Sequence, residues 1–144
     1  MPPNRRWRTS VLYFLACGVW LIGLGAYFVL LRPPLLPEDT RYIGGSAAQI
    51  RAALPGLERW LDHVFLVMGG FMAGVGMLTV HLAVTGVAAR RRGTGVVLVL
   101  AGLATVVTMS WTNFAITASF RWLLLAPAVL WSIGVAAYAG ERRA

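Results

Sequence analysis

Four long apolar runs constrain this chain of 144 residues more than any other feature. They cover approximately residues 10–31, 60–89, 96–114 and 122–139. Each is near or above the ~20 residues that an α-helix needs to cross the hydrocarbon core of a bilayer. In lipid, every backbone N–H and C=O must be satisfied within the structure, so only helices and closed barrels span. None of the runs alternates with the period of two that a barrel strand requires. The expected fold is an all-α membrane protein, a four-transmembrane-helix bundle in a single integral domain over residues 1–144. Composition agrees, with 58% hydrophobic and 12% charged residues. A soluble domain of that make-up would leave too much apolar surface in water.

The formal charge is +8, and all thirteen basic residues are arginine. Arg5, Arg6, Arg8, Arg90, Arg91, Arg92, Arg142 and Arg143 fall on one side of the expected bundle with Glu141, a net +7. Arg32, Arg41, Arg51, Arg59 and Arg121 fall on the other with Glu38, Asp39, Glu58 and Asp62, a net +1. The positive-inside rule then puts both termini in the cytoplasm and segments 32–59 and 115–121 outside. These arginines sit at the ends of apolar runs, so they read as orienting signals and not as a nucleic-acid surface. The first run is too long for a signal-peptide core and is expected to remain as span 1. One cysteine, Cys17, leaves no disulfide or C-x-x-C pair within the chain.

Segment 32–59 is more specified than a plain connection. Arg32-Pro33-Pro34 stops span 1. Pro37-Glu38-Asp39 reads as a new helix start, with Gly44-Gly45 closing it. Ser46-Ala47-Ala48-Gln49 fits a capping box for a second short helix. The segment is expected to form an outer cap of short amphipathic helices, with Leu35, Leu36, Ile43, Ile50 and Leu54 facing down onto the membrane surface or the bundle.

Within the spans, Gly70 and Gly74 form a G-x-x-x-G, and Gly69, Ala73 and Gly76 form a second small stripe beside it. Gly18 and Gly25 share a face of span 1. Small residues let helices approach closely in lipid, so both stripes of span 2 are expected to pack inside the bundle, with homodimerisation as the alternative. Thr105, Thr108 and Thr112, with Ser110 and Asn113 close by, form a polar stripe expected to bond to other helices. His63 and His81 lie five turns apart, ~27 Å along one face of span 2. Bis-histidine haem ligation needs facing partners that only a second copy would supply. No carboxylate lies in the middle of a span, which counts against a proton-coupled pump. No nucleophile–base arrangement, phosphate-binding loop or metal cluster stands out, so no cofactor is implied.

Residues 32–44 "RPPLLPEDTRYIG", 64–79 "VFLVMGGFMAGVGMLT" and 113–122 "NFAITASFRW" together resemble uncharacterised small four-span bacterial inner-membrane proteins. The resemblance implies a multi-pass protein of a bacterial cytoplasmic membrane and carries no activity with it.

The expected function is non-catalytic: an accessory or structural subunit of a membrane complex. The alternative is a small lipid- or quinone-binding carrier, and a weaker one is a haem-binding electron carrier formed as a dimer. The expected partners are membrane lipids, other membrane subunits or a second copy. A site, if present, is expected at the outer end of the bundle. There the sequence brings Arg32, Asp62, His63, Thr112, Asn113 and Arg121 beneath the loop carrying Glu38, Asp39, Arg41 and Tyr42.

Overall fold

A computed structural model describes residues 8–141. Arg5, Arg6, Arg142 and Arg143, which enter the charge argument, lie outside the described residues. Seven α-helices follow in chain order: α1 (Thr9–Leu30), α2 (Pro37–Ile43), α3 (Ala47–Ala53), α4 (Leu57–Leu82), α5 (Thr94–Gly102), α6 (Thr108–Ala115) and α7 (Arg121–Gly140). A π-helical segment, Ala83–Val87, prolongs α4, and another, Leu103–Val107, joins α5 to α6. The result is four membrane-spanning helices: Thr9–Leu30, Leu57–Val87, Thr94–Ala115 and Arg121–Gly140. This is the multi-pass, all-α bundle expected from the apolar runs.

The second span begins at Leu57, not at Trp60, because Pro55-Gly56 is the real helix breaker. Hydropathy marks where lipid begins, not where the helix does. At 31 residues this span is ~46 Å long, well beyond a ~30 Å hydrocarbon core, so it tilts or projects.

Helix α1 lies at the centre, between α4 and α7. The α5–α6 span packs on α7 and meets the α4 span mainly at the π-helical segment 83–87. Gly18 and Gly25 of α1 seat against Gly76 and Gly69 of α4, backbone to backbone. A Cβ on Gly76 would lie 2.7 Å from the Gly18 carbonyl oxygen. The buried core joins Val11, Phe14, Cys17 and Leu21 of α1 to Ala83, Val87, Leu98, Val106, Ala128, Trp131 and Tyr138. Phe14 meets Trp131 edge to face at 5.3 Å, and the Trp131 indole Nε1–H donates to the Leu98 carbonyl at 2.8 Å. Gly102 leaves room for that indole.

The end opposite the cap is tied by a polar node. Arg90 pairs with Glu141 at 2.5 Å and also donates to the Tyr138 carbonyl. Glu141 accepts from both the Ser10 backbone N–H and the Ser10 hydroxyl, at 3.1 and 2.8 Å. The start of α1, the turn after the α4 span and the end of α7 are thereby joined.

The cap end is different. No residue is buried in α1 after Gly25, in α4 before Gly69, in α6 after Ser110 or in α7 before Pro127. Full burial within the spans is confined to the end away from the cap and the middle of the bundle.

Two expectations need correction, and the cap residues divide. Gly69, Ala73 and Gly76 do face α1, but Gly70 and Gly74 have open space where a side chain would be. The stripes sit on adjacent faces of one helix, and α1 can cover only one. The hydroxyls of Thr105, Thr108 and Thr112 donate to carbonyls of their own span (Ala101, Leu103 and Thr108), so they need no other helix. Of that stripe and its neighbours, Ser110 reaches across, donating to the Leu124 carbonyl at 3.2 Å. In the cap, Ile50 is buried and Leu35 and Leu36 are half-buried, but Ile43 and Leu54 are exposed. The cap helices form at the expected signals.

Candidate functional site at the cap end

The cap end holds a cavity of about 290 Å³ between α1, α2 and the turn from α6 to α7. Local sequence explains each wall. Helix α1 ends at Leu31 before the two prolines, and its last turns contribute Leu24, Tyr27 and Phe28. Pro37 occupies the first turn of α2, where its missing N–H costs nothing, and the Asp39 carboxylate accepts the Leu36 N–H at 2.9 Å. This fixes α2 over the cavity with Leu36, Glu38 and Asp39 in its lining. At the far wall the Ala118 N–H returns to the Asn113 carbonyl at 2.9 Å, and Thr117 takes a left-handed φ of 53°. That tight turn places Ile116, Ala118 and Phe120 against the cavity.

Arg32 is the pivot of the site. Its guanidinium pairs with Asp39 at 3.1 Å, donates to the Pro33 carbonyl at 2.9 Å and lies 3.5 Å from the Phe65 ring centroid. Its charge is thereby matched, and α1, α2 and α4 are clamped together. Glu38 differs. It is 93% buried, with 7% of its surface exposed. Among the described residues it has one hydrogen bond, a long one of 3.3 Å from the Ser119 hydroxyl, and no basic partner.

The ten residues grouped from the sequence separate here. Arg32, Glu38, Asp39 and Asn113 line the cavity. Asp62 and His63 lie across Arg32 in a shallow groove of about 250 Å³ with Phe28 and Phe65. His63 is exposed, and its Nδ1 lies 2.7 Å from the Arg59 carbonyl of its own helix. Thr112, Arg41 and Tyr42 are exposed, and Arg121 is half-buried with its guanidinium 6.0 Å from the Phe114 ring. None of these four lines either hollow. Sequence reading missed the apolar walls, Leu24, Tyr27, Phe28, Ala118 and Phe120, and also Ser119. The turn residues carry no periodic signal, and their placement depends on the φ of Thr117.

Among the described residues no group of three or more His, Cys, Asp or Glu side chains is placed to hold a metal ion. The cavity offers recognition chemistry: a mostly apolar, aromatic-rich wall with a few convergent polar groups, the usual make-up of a small-molecule site.

No family model matches the chain, and no curated protein or solved structure matches it.

Proposed function

We propose that this protein is a non-catalytic membrane protein that binds an amphipathic small molecule, a lipid or lipid-like ligand, at its cap end. One observation carries the reading: an apolar cavity under α2 with the buried Glu38 carboxylate in its wall. Hydrophobic burial would hold a chain or ring in such a cavity, and the polar groups would fix its head. At about 290 Å³ the space is at the low end of the ~300–1,000 Å³ typical of ligand pockets, enough for one chain end or one ring and not for a whole two-chain lipid. The arginine distribution supports a cap end facing away from the cytoplasm, so the ligand would enter from the outer leaflet.

The test is mass spectrometry of small molecules retained through purification, comparing wild type with Ala118→Trp, which fills the cavity. A defined ligand in wild type that is absent from the variant supports binding. Retention no higher than that of an unrelated four-helix membrane protein defeats it.

A second reading, an accessory subunit that contacts another membrane helix, is favoured by the open groove at Gly70, Gly74 and Phe71 on α4. Co-purification from native membranes, with and without Gly70→Leu, tests that reading independently.

A further inference from the structure

The cavity wall carries one arginine, Arg32, and two acids, Glu38 and Asp39, so its formal charge is −1. Arg32 is spent on Asp39. The excess negative charge therefore resides on Glu38, whose side chain has, among the described residues, one hydrogen bond, the long one from Ser119. Its carboxylate lines the cavity, shielded from bulk solvent but open to whatever the cavity holds. A bound cation would pair with it in a charge-assisted hydrogen bond. Tyr27, Phe28 and Phe120 line the same cavity. Arg32 already lies 5.3 Å from the Phe28 ring centroid, which leaves Tyr27 and Phe120 as the aromatic residues that could attract an ammonium group.

We propose that the ligand of this cavity is an alkyl-ammonium amphiphile: its cationic head meets Glu38 among the aromatic rings, and its chain lies along Leu24, Leu123 and Leu124. This rests on the binding function proposed above and specifies its chemistry. A neutral or anionic amphiphile would leave Glu38 unpaired or place it against a like charge. The ammonium could be carried by a free single-chain amine or by an amine-headed membrane lipid, and the experiment separates these.

Wild-type protein is placed in nanodiscs of phosphatidylglycerol, which has no amine, and titrated with dodecylamine, dodecanol and dodecanoate, with binding counted over the same discs holding Ala118→Trp so that partitioning of the cation into the anionic bilayer cancels. The expected order is dodecylamine tightest by about tenfold or more, as one charge-assisted contact implies. Glu38→Gln should remove that advantage while leaving dodecanol binding unchanged. If dodecanol or dodecanoate binds wild type as well as dodecylamine does, the cationic head is wrong and the cavity remains a site for other amphiphiles. If no probe binds wild type better than Ala118→Trp, the binding function itself falls. The probe series on wild type decides these outcomes even if Glu38→Gln does not fold. In discs doped with phosphatidylethanolamine, enrichment of that lipid around wild type over Glu38→Gln would assign the head to a membrane lipid. Absence of enrichment alongside dodecylamine binding would assign it to a free amine.

Discussion

Gly25 and Gly69 hold α1 and α4 in direct backbone contact: a Cβ on Gly25 would sit 2.6 Å from the Gly69 carbonyl oxygen, and one on Gly69 would sit 2.7 Å from the Gly25 carbonyl oxygen. Neither neighbour is a flexible side chain that can swing away. Gly70 is one residue further along the same helix and has open space at the same position.

Adjacent glycines should therefore respond with opposite signs. Gly25→Ala and Gly69→Ala should each destabilise the detergent-solubilised monomer by about 1–3 kcal/mol through overpacking. Gly70→Ala should be neutral or stabilising by up to ~1 kcal/mol, since alanine costs less backbone entropy in a helix. Equilibrium unfolding of the three variants measures this. Equal losses at Gly69 and Gly70 would mean that α4 is rotated relative to the arrangement described.

The Arg90–Glu141 pair should behave as one unit. Both side chains are under one quarter exposed, and Glu141 also holds Ser10. A double-mutant cycle of Arg90→Gln with Glu141→Gln should give a coupling of about 1–2 kcal/mol, because each single change strands the other charge. A coupling near zero would mark the node as a solvated surface contact.

Four crossings place both ends of the chain on one side and the cap on the other. A reporter fused after Ala144 and one inserted at Gly45 should therefore respond to opposite compartments. The arginine bias predicts that the Ala144 fusion is the cytoplasmic one. Matching compartments for the two fusions would contradict three crossings after the cap.

The spans were legible because length and apolarity are enough to specify a helix in lipid. The cap was legible in its local signals: Pro37 at a helix start, Gly44 at a left-handed stop and the reciprocal Ser46–Gln49 bonds all form. The choice between the two stripes of α4 was harder. Gly69 and Gly76 are seven residues apart, as are Gly18 and Gly25, and that matched spacing is the signal that selects the buried stripe. The threonine stripe misled because a helical hydroxyl can satisfy itself on its own backbone. The cavity was half legible. Its acids and Arg32 stand out as charges beside a span, but its apolar walls come from a turn whose path no periodicity reveals.

Asn113 and His63 sit at similar depth in sequence terms, yet the structure puts them on opposite sides of Arg32. Asn113 lines the cavity under α2, held by a 2.8 Å bond from its side-chain amide to the Met109 carbonyl. His63 is exposed, satisfied by Arg59 of its own helix, and faces only the shallow groove. Asn113→Leu keeps the branched heavy-atom shape and removes a polar group from the cavity wall. His63→Leu removes a solvated ring that the cavity does not touch. Ligand retention should therefore fall in Asn113→Leu and stay at the wild-type level in His63→Leu. The thermal stability of His63→Leu should also change little, within the ~0.5 kcal/mol usual for exposed positions. Co-purified ligand and melting temperature, measured on both variants, decide the matter. Equal loss of ligand in the two would show that groove and cavity act as one site across Arg32. Lost stability in both without any retained ligand in wild type would show that the polar groups of the cap end serve only to fasten the helices together.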